Sequence, residues 1–135
     1  MSMERGSWTA SPILGVRRVR ETAEYYVNVL GFSLDPEFGV FQPEADDPQG
    51  VYAIVQREGA SLHFQIRRGE DVARTRESIE CDVYVYISDI ESLFAEFQER
   101  GAKILRPPAD QAYGLRDMVV EDLNGYRLVF GQLLA

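Results

Sequence analysis

The side chains with the most chemical potential lie in two short segments where polar and apolar residues alternate. The first segment, residues 61–66, contains His63, the single histidine of the chain, and Gln65. The second segment begins with Asp82 and continues with Tyr84 and Tyr86, which are separated by valines. An imidazole can act as a general base near neutral pH, and tyrosine combines a large apolar ring with one hydroxyl. Both segments are therefore candidates for a ligand-binding or catalytic surface.

Each of these residues also has a structural interpretation. His63 could be a partly exposed or hydrogen-bonded strand residue, because nothing in the sequence places a substrate proton beside it. Tyr84 and Tyr86 could pack across strands or at a subunit interface instead of lining a pocket. Asp82 could meet a cation or accept hydrogen bonds at the start of a strand. These alternatives remain open from the sequence.

A second group of candidates lies in predicted loops and at strand ends. Its aromatic members could close a pocket or cover the domain edge: Trp8, Phe38, Phe41 and Tyr113. Arg116 could form a structural ion pair or bind an anionic ligand. Cys81, the single cysteine, has no neighbouring cation that would activate its thiol, so we expect no nucleophilic role.

Composition and charge argue against several classes of function. The 22 acidic and 14 basic residues give a net charge of −8, which disfavours nucleic acid and anionic membranes as partners. The same charge either keeps the protein soluble or attracts a cationic ligand. The sequence has no apolar run of about 20 residues, no phosphate-binding glycine loop and no zinc-binding His-Glu-x-x-His motif. One cysteine cannot form an internal disulfide, and we expect a cytoplasmic protein.

Hydrophobic spacing predicts alternating strands and helices in both halves of the chain. In the first half these are a strand at 12–16, a helix from Arg20 to Gly31, a strand at 32–41, a loop at 42–50, and a hairpin of 51–56 with 61–66. In the second half they are a strand at 83–87, a helix from an N-cap at Asp89 to Gly101, and strands at 103–105, 117–121 and 126–132. We expect positive φ in the Asn124-Gly125 turn that joins the last two strands.

The two halves resemble each other. Gly31 and Gly101 each end a predicted helix at an offset of 70 residues, and Gly59 and Gly125 each precede an apolar strand at an offset of 66. One duplication with a small loop deletion accounts for both offsets. We therefore predict an α+β fold with a single domain over residues 1–135. Its two βαβββ repeats, at about 11–66 and 81–132, are joined by a linker at about 67–80.

Strand alternation assigns the faces of this predicted fold. Leu62 and Phe64 should pack under a helix, which leaves His63 and Gln65 on the other side. The valines at 83 and 85 should likewise face a helix, with Asp82, Tyr84 and Tyr86 opposite.

The order of elements resembles the vicinal oxygen chelate superfamily, which includes glyoxalase I, extradiol dioxygenases, fosfomycin resistance enzymes and bleomycin resistance proteins. The likeness covers about residues 11–132 and rests on the segments at 24–32 (Glu-Tyr-Tyr-Val-Asn-Val-Leu-Gly-Phe) and 121–126 (Glu-Asp-Leu-Asn-Gly-Tyr). Segments 62–64, 88–97 and 113–117 are most similar to the bleomycin resistance branch. The resemblance implies a concave, mostly antiparallel sheet with helices on its outer face. It is specific for fold and weak for function, because one fold hosts many chemistries.

The resemblance also implies four concave positions at which metal-dependent members place His, Glu or Gln. By register these fall on Ser11 or Pro12, on His63, on Asp82 and on Val129. Proline and valine cannot coordinate a metal, and serine is an uncommon ligand for a transition metal. Two competent donors are too few for a metal site of the usual kind. We therefore expect no metal or other cofactor; the alternative is one divalent ion whose site is completed by water, substrate or another chain.

These observations predict a metal-independent binding protein for a small molecule, of the glyoxalase/bleomycin resistance type. It would sequester a drug or metabolite, would serve antibiotic resistance in the first case, and would form a homodimer as such relatives usually do. The alternative is a metal-dependent lyase, isomerase or dioxygenase, with a metal-free isomerase using His63 as a variant; a regulatory module ranks third. No residue is assigned a catalytic role. The predicted ligand-binding residues are Trp8, Phe38, His63, Gln65, Asp82, Tyr84, Tyr86, Tyr113 and Arg116.

Overall fold

The computed structural model of the chain describes residues 7–69 and 80–135. Residues 1–6 and most of the predicted linker, at 70–79, lie outside the described residues. Within the described part, the chain has a mixed α+β fold with two helices and two sheets, of five and four strands. The predicted fold class is therefore confirmed.

The chain forms two compact units. Unit one contains the described residues up to Val27 together with Gly31–Gly69. Unit two contains Asn28–Leu30 together with the described residues from Glu80 onward. Each unit has its own sheet and its own helix. Only Asn28, the last residue of the first helix, is assigned to unit two.

Unit one is built on a sheet in which one strand pair is parallel and the others are antiparallel. Its elements are β1 (Ile13–Val16), α1 (Val19–Asn28), β2 (Ser33–Leu34), β3 (Val40–Phe41), β4 (Tyr52–Arg57) and β5 (Ala60–Ile66). The strand order is β1-β5-β4-β2, with β3 also paired to β4. The parallel pair, β1 with β5, arises because α1 carries the chain back across the sheet.

One face of this sheet forms the core of unit one. The apolar side of α1 is buried, and the Tyr26 ring packs on Phe64 of β5 with centroids 4.8 Å apart. Leu62 is buried on the same face as Phe64, whereas His63 and Gln65 point to the opposite face. The alternation predicted for residues 61–66 therefore agrees with the structure.

Unit two repeats this architecture. Its elements are β6 (Val83–Tyr86), α2 (Ile90–Arg100), β7 (Lys103–Asp110), β8 (Leu115–Glu121) and β9 (Arg127–Leu133). The strand order is β6-β9-β8-β7, in which β6 and β9 are parallel. The first strand of each unit thus pairs in parallel with the last strand, as expected for two βαβββ repeats.

The ends of α2 follow the sequence signals. The Asp89 carboxylate accepts a hydrogen bond from the amide of Ser92 at 3.1 Å, and Gly101 ends the helix in the left-handed conformation with φ of 80°. Phe97 packs on Phe130 of β9, with ring centroids 5.1 Å apart. Neither α1 nor α2, the helices of the described residues, is long and apolar enough to span a membrane.

The prediction of one continuous strand at 32–41 is wrong in the middle of this range. The structure has two short strands there, β2 and β3, separated by a turn. The Asp35 carboxylate accepts hydrogen bonds from the amides of Glu37 (3.0 Å) and Phe38 (2.9 Å), and Gly39 has φ of 62°. A side chain that bonds its own backbone competes with strand pairing, and this turn places Phe38 beside β4.

The strand predicted at 103–105 continues to Asp110 as β7, although it contains Pro107 and Pro108. Proline has no amide hydrogen, which is tolerated because β7 lies at the edge of its sheet. The pairing of β7 with β8 shifts register after Ile104 and again after Arg106. These shifts accommodate the prolines and turn Arg106 towards β8.

The turn between β8 and β9 differs from the predicted Asn-Gly hairpin. Gly125 has φ of 87°, but Asn124 does not have positive φ. The buried Asp122 carboxylate organises the turn by accepting from the amides of Asn124 (2.8 Å) and Tyr126 (2.9 Å). A longer loop with an internal hydrogen-bond acceptor does not need the two consecutive positive φ angles of a two-residue hairpin.

Replacing Phe64 with alanine should lower the free energy of unfolding by about 3–5 kcal/mol, because the change leaves a cavity beneath Tyr26. Phe41→Ala is the matched control, since Phe41 is 52% exposed, and should cost much less. Urea unfolding followed by circular dichroism measures both, because Trp8 is 95% exposed and reports poorly on the core. Equal losses for the two variants would contradict this assignment of the core.

Candidate functional site

The face of the unit-two sheet opposite α2, called its open face below, carries a cluster of tyrosines, although Val119 and Val129 on the same face are buried. Tyr84 and Tyr86 follow each other on this face of β6, with ring centroids 5.0 Å apart and a tilt of 46°. The Tyr84 side chain crosses Gly131 of β9, where a Cβ would overlap the Tyr84 hydroxyl. Glycine at 131 therefore opens a path from β6 across β9 to β8.

Asp117 of β8 lies at the end of this path and pairs with Gly131 across the sheet. Its carboxylate is completely buried. Oδ2 accepts hydrogen bonds from the hydroxyls of Tyr84, at 2.9 Å, and of Tyr113. Oδ1 accepts from the guanidinium of Arg106, which also donates to the backbone oxygen of Asp117 at 2.8 Å. These four residues form the Asp117 cluster.

The protonation states in the cluster follow from these contacts. Burial acts to raise the pKa of Asp117, but the bonds from Tyr113, Arg106 and Tyr84 overcome it and lower the pKa overall. The pKa of Tyr84 is raised, mainly by burial and then by its bond to Asp117. The pKa of Tyr113 is also raised, mainly by its bond to Asp117. At neutral pH the cluster therefore contains a carboxylate, a guanidinium and two neutral phenols.

Two of the three tyrosines remain accessible from solvent. Tyr86 is 71% exposed and Tyr113 is 62% exposed, although the Tyr113 hydroxyl reaches the buried carboxylate. Exposed aromatic rings held in place by a buried polar group form a surface that can bind a ligand without being reorganised.

The open face of unit one carries a different pair. The Tyr52 hydroxyl and Nδ1 of His63 are 2.7 Å apart, and which of them donates depends on the imidazole tautomer. Phe38 also packs against Tyr52 in an edge-to-face arrangement, at 5.6 Å between centroids. The strand neighbours of His63 on this face are Ile13 and Ile54. We refer to Phe38, Tyr52 and His63 as the His63 row.

The remaining predicted ligand-binding residues lie apart from these two groups. Gln65 is exposed on the same face as His63, opposite Tyr52. Asp82 is exposed just before β6 and accepts from the amide of Arg127 at 2.9 Å. Trp8 is exposed and precedes β1. Arg116 lies on the α2 side of its strand, where it pairs with Glu91 at 2.7 Å and Asp110 at 3.0 Å; this fits its structural interpretation.

The residues that organise both groups are absent from the sequence-based predictions. These are Tyr52, Arg106 and Asp117. The contact between Tyr52 and His63 could have been predicted from the hairpin, because a turn at Glu58-Gly59 places Tyr52 diagonally across from His63. Asp117 lies next to Arg116 in segment 113–117, but no local pattern links it to Tyr84, 33 residues away.

The described donors within either unit do not fit a divalent transition metal. Among the residues that the structure describes, no group of three or more His, Cys, Asp or Glu side chains could hold a metal ion. His63 is flanked on its face by isoleucines, and the neighbour of Val129 on β6 is Tyr84. Each unit thus offers at most one of the ligands that the resemblance implies, fewer than the three protein ligands of a catalytic zinc site.

Replacing Asp117 with asparagine should lower the free energy of unfolding at pH 7 by about 2–4 kcal/mol, because Arg106 then loses its buried counter-charge. The folded-state pKa of Asp117 lies below that of the unfolded chain, so its stabilisation is complete above about pH 4 and is lost as the pH falls through the folded-state value. The difference between wild type and variant should therefore shrink below about pH 4.

Urea unfolding at pH 7 and at successive pH values below 4 measures this difference. Asp110→Asn is the matched control, since the Asp110 side chain is 61% exposed, and should change stability little at any pH. A constant difference between wild type and Asp117→Asn across this range would refute the assignment of a charged, stabilising carboxylate.

Comparisons with known proteins agree with this architecture. TioX from Micromonospora sp. ML1 is 22% identical, with a TM-score of 0.69 over 94% of this chain and 100% of its own. A glyoxalase/bleomycin resistance protein/dioxygenase from Alicyclobacillus acidocaldarius is 15% identical, with a TM-score of 0.72 over 98% and 96%. A virulence protein from Salmonella typhimurium is 17% identical, with a TM-score of 0.64 over 99% and 100%. At these identities the similarity shows the fold alone.

No curated protein sequence matches the chain. The family model described as Glyoxalase/Bleomycin resistance protein/Dioxygenase superfamily matches residues 8–130. This match spans both repeats, the tyrosine-bearing strand β6 and the Asp117 cluster. The chain belongs to the glyoxalase/bleomycin resistance protein/dioxygenase superfamily.

Proposed function

We propose that the protein binds a small molecule without a metal and without chemical conversion, and that it sequesters a drug or metabolite. The observation that carries this proposal is the Asp117 cluster, which holds tyrosine rings on the open face of unit two. Hydrogen bonds to the buried Asp117 carboxylate fix Tyr84 and Tyr113, and Tyr86 packs against Tyr84. Rings ordered in advance lose little conformational entropy when a ligand covers them.

The protonation states of the cluster support binding over catalysis. A general base has to accept a proton near neutral pH, but the lowered pKa of Asp117 keeps this carboxylate ionised and bonded to three donors. The raised pKa values of Tyr84 and Tyr113 keep their hydroxyls protonated. The cluster therefore lacks a group prepared for proton transfer, and its polar atoms serve to hold aromatic rings.

The cellular setting is part of the same proposal. The protein acts in the cytoplasm as a homodimer, with a small molecule as ligand and with neither nucleic acid nor membrane as partner. The net charge of −8 supports the exclusion of polyanions. A role in antibiotic resistance follows if the ligand is a drug; the family description, which includes bleomycin resistance proteins, supports this possibility.

Calorimetric titration with cationic glycopeptides and aromatic small molecules tests the proposal. At least one compound should bind with a dissociation constant of about 100 μM or lower. Tyr86→Ala should raise this dissociation constant about tenfold, because the change removes an exposed ring without loss of core packing. Leu123→Ala, an exposed apolar residue on the β8–β9 turn, is the control and should bind as wild type does. No binding across the panel at high micromolar concentration would overturn the proposal.

Native mass spectrometry on protein purified without chelator tests the metal and the oligomeric state. We expect a dimer without bound metal. About one divalent ion per chain would favour the metal-dependent lyase, isomerase or dioxygenase instead, with a site completed by water, a substrate or another chain.

The His63 row favours a second candidate, a metal-free isomerase. The Tyr52 hydroxyl holds Nδ1 of His63, which leaves Nε2 as the imidazole atom able to exchange a proton with a ligand. For a substrate found in the same panel, His63→Gln should abolish turnover and Tyr52→Phe should reduce it. Turnover unchanged in both variants would exclude this candidate.

A further inference from the structure

We propose that the tyrosine surface of unit two, formed by Tyr84, Tyr86 and Tyr113, recognises an organic cation, in the form of a substituted ammonium group held against the ring faces. This inference rests on the proposed function and names the chemical class of its ligand. It is supported by the hydrogen bonds of the Asp117 cluster, by the exposure of the rings and by the charge of unit two.

The hydroxyls of Tyr84 and Tyr113 are committed to the protein. Both donate to Oδ2 of Asp117, so neither is available as a donor to a ligand while these bonds last. Tyr86 and Tyr113 are both exposed, and Tyr113, whose hydroxyl is bound to Asp117, offers a ligand its ring. A surface of this kind selects ligands by the electrostatics of its aromatic faces more than by directed hydrogen bonds.

The same bonds make the faces more negative. A neutral phenol that donates a hydrogen bond to a carboxylate gains electron density in the ring, and the ring face is the part that attracts a cation. Tyr84 and Tyr113 both make this bond to one ionised carboxylate. Two electron-rich rings are therefore fixed around Asp117, and Tyr86 extends the surface outward from Tyr84.

The positive charge of Arg106 is paired, so it does not repel an approaching cation. Its guanidinium bonds the carboxylate of Asp117 and also donates to the backbone oxygens of Asp117 (2.8 Å) and Pro107 (3.2 Å). The charges of Arg106 and Asp117 cancel at short range. An approaching cation thus meets ring faces above a neutral ion pair.

The surrounding charge attracts a cation from a distance. Residues 80–135 carry ten acidic and five basic side chains, whereas residues 7–69 carry eight and six. Most of the excess negative charge therefore belongs to the unit that carries the tyrosines. Such a field raises the local concentration of cations and their rate of association at low ionic strength.

The test compares choline with 3,3-dimethylbutan-1-ol, a neutral molecule of nearly the same shape, in NMR titrations of the full-length protein. We expect choline to shift the amide signals of β6 and of the loop before β8. Its affinity should be at least about fivefold higher than that of the neutral alcohol. Tyr86→Ala should lower the affinity for choline by at least about threefold. Tyr86→Phe and the unit-one control Phe41→Ala should leave this affinity nearly unchanged.

Equal affinity for the two probes, no saturable shift with choline, or unchanged choline binding in Tyr86→Ala would each overturn the cation assignment. These failures are distinct from failure of the proposed function. If a neutral aromatic compound from the calorimetric panel binds and Tyr86→Ala weakens it, the surface is a ligand site for another chemical class. If no compound in the panel binds, the proposed function itself fails.

Discussion

The buried carboxylate of Asp117 is the constraint on which the open face of unit two depends. An ionised carboxylate without partners is very costly inside a protein, so this one requires donors on several sides. Arg106 supplies them from β7, Tyr84 from β6 and Tyr113 from the loop before β8. One side chain therefore joins an edge strand, the opposite edge strand and a loop. The arrangement also requires glycine at 131, because the Tyr84 side chain occupies the space of a Cβ there.

The two units use one scaffold for different surfaces. Both pack an amphipathic helix on one face of a sheet whose first and last strands pair in parallel, and both cores centre on an aromatic contact between helix and last strand. The opposite faces differ, because residues there do not contribute to the helix contact. Unit one presents an imidazole held by a phenol; unit two presents phenols held by a carboxylate. Membership of the superfamily thus fixes the architecture, and the chemistry depends on what each open face carries.

Most of the fold could be predicted from the sequence, since the signals are local. Helical spacing, the Asp89 N-cap and the glycines that end the helices predicted the order of elements, and the repeat offsets predicted that the halves share a topology. The misses occurred where a side chain or an edge position overrode the local pattern. Asp35 breaks a strand by bonding its own backbone. The prolines of β7 are tolerated because the strand has a free edge, which only the sheet order reveals.

For the candidate site, the sequence alone predicts which side chains face away from the helices. Strand alternation has a period of two, so the open-face positions of His63 and Tyr84 follow from their neighbours. The partners of these residues were decided by tertiary structure. Asp117 meets Tyr84 because the pairing of β8 with β9 places it beside Gly131, and Arg106 reaches it through register shifts in β7. Register between strands distant in sequence is set by the packing of the whole sheet, and no local pattern of residues encodes it.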